Sequence, residues 1–329
     1  MGEFSRVGKW AAPAFQVVAL LLMVTWSTAQ GDDGLSEGAG DEVGVSWYDG
    51  GHDYVTDRLQ RAAVWLDDFF GDPRAEKEKQ ASAYMHVVLD AFYSGVEDQS
   101  ENGVRFRGGV DLPKLDRRLR LLVTSDADST VTGRELAGTA KDDVKDTDGA
   151  VGLSYLFRDR PGHKFSLGGG LSGGLSPALL LAGRYVHTRH WTTNTASHVT
   201  STVYWKSEDG PGVSTLLDYE WSPDADTLWR TTLFGNYKEE IRGLEWSAQA
   251  KWAKRLNSKT AINVRGGFQG QTEPNSVLSE GWLKFLYRRN VLRPWLFYEL
   301  EPGFSWPESL DYRGEPTFAV RLEIQFRRD

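Results

Sequence analysis

The sequence predicts a transmembrane, antiparallel, up-and-down β-barrel of about fourteen strands, preceded by a short helix. Three observations point there. First, Phe318, Val320, Leu322, Ile324 and Phe326 alternate with Ala319, Arg321, Glu323 and Gln325 to make an unbroken period of two near the C-terminus. That period marks a strand with two different surroundings. Second, the chain opens with the features of an export signal. Third, from Ser82 onward the same alternation recurs in segments near the ~10 residues that a tilted membrane strand needs.

The N-terminus supports the second point. Arg6 and Lys9 form a basic start, Ala11 to Trp26 is mostly apolar, and Ser27-Thr28-Ala29 supplies small residues for cleavage after Ala29. An uncleaved helical anchor is the competing reading, but the apolar core is short for a span of ~20 residues. The chain has 329 residues, 13 Trp, 35 Gly and no Cys. Without Cys there is no disulfide framework, thiol nucleophile, Cys-ligated metal or lipoprotein anchor. The net charge is −8, and removing the signal's net +1 (Glu3, Arg6, Lys9) leaves −9. No basic stripe stands ready for phosphates, which argues against a nucleic-acid partner. Nothing in the sequence calls for a cofactor.

We divide the chain into a signal peptide (1–29), a periplasmic N-terminal extension (30–80) and an outer-membrane barrel (81–329). Gln30 to Val43 is acidic and Gly-rich, a composition that favours disorder. Helical spacing follows over 54–70, where Val55, Leu59, Ala62 or Ala63, Leu66 and Phe69 or Phe70 share a face. Thr56 or Asp57 can cap its start, and Gly71 and Pro73 end it.

The predicted strands run 82–94, 103–112, 115–124, 148–158, 163–172, 177–189 and 195–206, then 211–222, 226–238, 242–256, 259–271, 277–289, 294–305 and 316–327. An even count suits a single-chain bacterial barrel. Twelve is the alternative, because the Gly-rich fifth strand and the connection at 188–195 are weak. One face of each strand is apolar, as in Val104, Phe106 and Val110, or Trp246, Ala248, Ala250 and Trp252. Aromatic residues gather toward strand ends, as interfacial girdles do. A soluble sandwich or propeller would have to explain this persistent apolar face in a chain with an export signal. With both termini periplasmic, Ser125 to Thr147 and Trp306 to Glu315 become extracellular loops, while Pro113-Lys114 and Arg160-Pro161-Gly162 become periplasmic turns.

The inward positions carry both signs of charge. Candidate lumen residues are Arg105, Arg107, Arg118, Arg120, Arg184, Asp218, Glu220, Arg265, Lys284, Glu299, Arg321 and Glu323. His86, Asp90, Asp111, Arg230, Glu245, Lys251, Arg255, Glu280, Arg288 and Glu301 share that face. Two outcomes compete. The charges pair across strands and close the lumen, or they set a transverse field across a pore. The helix likewise has two readings. Trp65, Leu66, Phe69 and Phe70 either dock under the barrel or serve as a plug or a recruiting surface for a periplasmic partner.

Three further ideas concern chemistry. His187 and Ser201 both fall on outward faces, the placement a lipid hydrolase would need. No third orienting residue accompanies them, and no rim of acids and His of the omptin protease type can be assembled. Asp142, Asp143, Asp146 and Asp148 cluster in the long loop without the spacing of an EF-hand, so an acidic, solvated loop competes with a calcium site.

Three segments carry a resemblance. They are Trp65-Leu-Asp-Asp-Phe-Phe-Gly-Asp-Pro-Arg74, Asp111-Leu-Pro-Lys-Leu-Asp-Arg-Arg118 and Trp295-Leu-Phe-Tyr-Glu-Leu-Glu-Pro-Gly-Phe-Ser-Trp-Pro307. Together they resemble an uncharacterised family of proteobacterial outer-membrane β-barrel proteins, over about residues 60–327. The resemblance implies location and fold and assigns no functional residue. The last strand also resembles the signal read by the barrel assembly machinery, although Arg327, Arg328 and Asp329 follow Phe326 where that signal ends on an aromatic residue. Expected partners are therefore outer-membrane lipids, the assembly machinery during biogenesis, and possible periplasmic proteins. The expected role is an envelope scaffold or closed barrel, with a porin-like channel for small polar solutes as the alternative.

Overall fold

The computed structural model describes residues 59, 61–72 and 83–328, apart from 96–98, 113–117, 133, 135–148, 161, 174–176, 240–242 and 274–276. The expected signal peptide, the acidic leader and the four-Asp loop cluster lie outside the described residues.

Fourteen antiparallel strands close into a barrel. They are β1 (Ala83–Ser94), β2 (Gln99–Asp111), β3 (Leu119–Thr124), β4 (Ala150–Arg160), β5 (His163–Ser172), β6 (Ala178–Thr192) and β7 (Thr195–Lys206). The remainder are β8 (Gly210–Asp224), β9 (Thr227–Lys238), β10 (Gly243–Asn257), β11 (Thr260–Gln271), β12 (Val277–Asn290), β13 (Leu296–Pro307) and β14 (Glu315–Arg328). Each strand pairs with its sequence neighbours, and β1 closes onto β14 from Ala83↔Arg328 to Ser94↔Thr317. Closure joins the first strand to the last, as a sheet crossing lipid requires, and the ladder is thinnest at the short β3, which pairs with β2 over Arg107–Asp111.

The count of fourteen holds, and the twelve-strand alternative falls. The weak connection at 188–195 resolves into strand: β6 runs on to Thr192 and turns through Thr193 and Asn194 into β7. The largest boundary errors are four residues each: β2 starts at Gln99 rather than 103, and β3 at Leu119 rather than 115. Arg118 consequently sits exposed in the turn ahead of β3 instead of on its inward face.

The outward face is an apolar belt. Val104, Val203 and Phe268 are 61%, 64% and 56% exposed, and Leu153, Leu233, Leu283 and Phe318 are exposed beside them. A soluble monomer rarely exposes contiguous apolar surface beyond a few hundred Å². A surface of this kind running round a closed barrel fits a lipid surround, and we describe the chain as a transmembrane barrel.

Among the described residues, two short α-helices and a 3₁₀ turn at Glu308–Leu310 complete the fold. Residues 61–69 form α1, and Ala127–Thr132 form α2 within the β3–β4 connection. The end of α1 follows from its sequence. Gly71 adopts φ +65°, a left-handed conformation that suits glycine. The Asp72 amide donates to the Asp67 carbonyl at 2.7 Å and the Gly71 amide to that of Asp68 at 3.2 Å. These two bonds form a Schellman motif, which satisfies helix-end carbonyls.

Candidate functional site

The lumen is the candidate site, and it is occupied by the protein itself. At the end of the barrel that holds Ala83 and Arg328, α1 lies inside the wall. Leu59, Ala63, Leu66 and Phe69 pack with Ala196, Leu228, Ala253, Ala261 and Phe297 from five strands, and Trp65 and Phe70 border the cluster. The wall residues are small or apolar at inward positions that elsewhere carry charge, so they make a seat for the helix. Trp65 stacks on Phe69 at 4.8 Å, and Phe69 meets Phe297 edge to face at 5.4 Å. Burying each such Leu or Phe side chain contributes about 1.5–3 kcal/mol.

Charge fixes the helix in the seat. Arg230 on β9 donates Nη1 and Nη2 to the two Asp67 carboxylate oxygens at 2.8 and 2.6 Å, and Nε to Glu220 at 2.6 Å. All three side chains are buried. A forked Arg–carboxylate pair adds geometric specificity to charge attraction. Asp72 extends the contact, lying 3.3 Å from Lys251 and 3.4 Å from Arg230. Arg107 donates to the Gly71 carbonyl at 3.0 Å, and the Arg255 guanidinium lies 4.7 Å from the Trp65 ring centre.

A second network crosslinks the wall. Asp90 accepts from Arg105 at 2.8 and 2.9 Å and from Arg321 at 2.7 Å. Arg321 also donates to Glu301 at 3.2 Å and lies 3.6 Å from Glu299. Glu301 in turn accepts from Arg265 at 3.0 Å and faces Lys284 at 3.8 Å. Arg288 bonds both Glu299 and Glu323, and Glu323 meets His86 at 3.0 Å. The network runs through six strands and spans the β1–β14 seam.

The other end is partly occupied from the loop side. The β3–β4 connection, expected as an extracellular loop, sends α2 into the barrel. Asp128 bonds Lys206 and lies 3.8 Å from Lys238, and Arg134 bonds Glu245. Arg184 donates to the Thr130 carbonyl at 2.8 Å and to Thr202 at 3.2 Å. Burial works to raise the Asp128 carboxyl, but Lys238 and Lys206 outweigh it and hold the group below its ordinary value.

Of the remaining predicted lumen residues, Arg120 pairs with Asp111 at 2.6 Å and Asp218 accepts from Thr232 at 2.5 Å. Sequence reasoning missed Asp67 and Asp72. The signal was present: Asp67 lies one residue from Leu66, a turn from Ala63, and an acid that close to a buried stripe needs a cationic partner. His187 and Ser201 do lie on the outer face, but the register pairs His187 with Val199 and Ser201 with Tyr185. The His187 Nδ1 faces the Gly162 carbonyl at 3.1 Å and the Ser201 hydroxyl faces Thr215 at 3.4 Å. Among the described residues, no group of three or more His, Asp or Glu could hold a metal ion.

No family model and no curated protein matches the chain. Among solved structures, it is similar to the KdgM porin, with 6% identity, TM-score 0.36, and coverage of 73% of this chain and 99% of that one. It is similar to OmpT of Vibrio cholerae at 10% identity and TM-score 0.45, covering 75% and 99%. It is also similar to OprD of Pseudomonas aeruginosa at 9% and 0.40, covering 75% and 97%. The apolar belt and the closed strand ladder, rather than these distant matches, make this a membrane barrel.

Proposed function

We propose that the protein is an outer-membrane barrel closed by its own helix α1, serving as an envelope scaffold in the closed state. The forked Asp67–Arg230 pair inside the wall is the observation that carries this reading. A helix lying loosely in an aqueous pore would have no need of a buried, bidentate latch. Charge pairing throughout the lumen supports closure over a transverse selectivity field. The face of Trp65, Leu66, Phe69 and Phe70 is already engaged, so a periplasmic partner using it has to draw α1 out.

Passage of small polar solutes is the second reading. It is favoured by the fact that the obstruction is a separate helix ahead of β1 rather than wall side chains alone. The alternation of Phe318, Val320, Leu322, Ile324 and Phe326 suits export followed by recognition by the barrel assembly machinery.

Single-channel recording on the refolded protein, intact and with residues 54–71 deleted, separates the two. We expect silence from the intact chain and current from the deletion. Steady conductance in the intact protein would overturn the closed reading.

A further inference from the structure

The two rims of the barrel differ in sign. At the end holding both terminal strands, exposed basic residues include Arg160, Arg189, Lys254, Lys259, Arg289 and Arg293. Among the described residues, the exposed acid at that end is Asp224. At the opposite end the exposed acids are Glu208, Glu239, Glu273, Glu308 and Asp311, and the exposed base among the described residues is Arg313.

The basic residues are not scattered through solvent. Arg189, Lys254 and Arg289 occupy the outward face of β6, β10 and β12, at the margin of the apolar belt. Each stands two residues from an aromatic side chain on the same face: Trp191, Trp252 and Tyr287. The Arg189 guanidinium lies 4.2 Å from the Trp191 ring centre. Trp229 neighbours Trp252 at 6.3 Å, and Tyr298 neighbours Tyr287 at 6.0 Å. Aromatic rings at a belt margin lie at headgroup depth. Long basic side chains there extend their charge into the same layer.

We propose that this basic, aromatic collar is a docking surface for anionic phospholipid headgroups in the leaflet nearest Ala83 and Arg328. Charge complementarity selects the occupant: the collar offers ammonium and guanidinium groups at the depth of lipid phosphates, and among the described side chains the acids at that end are outnumbered, with Asp224 exposed and Asp226 paired to Arg255. The acidic far rim repels the same lipids, so the preference belongs to one leaflet. This inference rests on the membrane reading, though not on the plug.

The test uses the full chain refolded into phosphatidylcholine vesicles containing a minority of phosphatidylglycerol. Trace spin-labelled phosphatidylglycerol or phosphatidylcholine reports the lipid held at the protein surface. We expect the anionic probe to be favoured by about threefold, with the preference falling in high salt. It should approach equality in the triple variant Arg189→Gln, Lys254→Gln, Arg289→Gln. The charge-conserving Arg189→Lys, Lys254→Arg, Arg289→Lys should retain it. Equal retention of both probes by the wild-type protein would overturn the proposal, as would a preference undiminished in the Gln variant. Failure to insert into vesicles at all would overturn the membrane reading instead, a distinct result.

Discussion

Replacing Asp67 by Asn removes one charge from the latch while nearly preserving shape. Breaking a buried ion pair costs about 3–5 kcal/mol when the surviving charge is left alone. Arg230 is not left alone, because Glu220 donates no proton but accepts its Nε–H at 2.6 Å, and Asp72 lies 3.4 Å away. The expected loss is therefore about 2 kcal/mol, or roughly thirtyfold in the docking equilibrium of α1. The apolar seat of Leu66 and Phe69 is untouched, so the barrel itself should keep its stability. Hydrogen exchange read by mass spectrometry over residues 59–72 reports the helix, and peptides from β8 to β12 report the wall. Protection should fall in the first and hold in the second. A cycle with Arg230→Gln should then show coupling of about 1.5 kcal/mol or more. Unchanged protection in α1, or two substitutions that add to within about 0.5 kcal/mol, would refute the latch.

Other expectations follow from the same geometry. Leu66→Ala, at a position 1% exposed, should weaken docking by about 2–5 kcal/mol, and bilayer recordings of the variant should show channel openings that the parent lacks. Arg288→Met leaves Glu299 and Glu323 facing each other across β13 and β14; urea unfolding should register a loss of about 3 kcal/mol. Asp128 titrates below its ordinary 3.8, so the stability it lends α2 is complete above that value and is lost as pH falls through its lower folded value. Limited proteolysis of the β3–β4 connection should thus be flat from neutral to mildly acidic pH and rise only in strong acid.

The strand ladder was legible because each face of each strand has one solvent. Lipid outside and a polar lumen inside impose a period of two that survives from Ala83 to Arg328. The start of the third strand differs because the alternation continues in sequence ahead of Leu119, while Arg118 lies in a turn, where the pattern no longer reports pairing. The end of α1 was legible in Gly71, since a left-handed cap favours that residue. Which partners the charges choose was not legible. Arg230 could have met several carboxylates by sequence, and only closure of the barrel brings Asp67 to it across more than a hundred residues. The inward path of α2 was equally hidden, since Ala127–Thr132 is short and mostly polar, as a solvated loop would be.

The position of α1 in the chain has a kinetic meaning. Only residues 73–82 separate the plug from β1. An occupant tethered by so short a span keeps an effective concentration in the millimolar range after it lets go. A released helix therefore competes for its own seat against anything dissolved around it. Whatever draws it out has to bind it well enough to outweigh that tether, and without such a captor each opening ends when the helix returns.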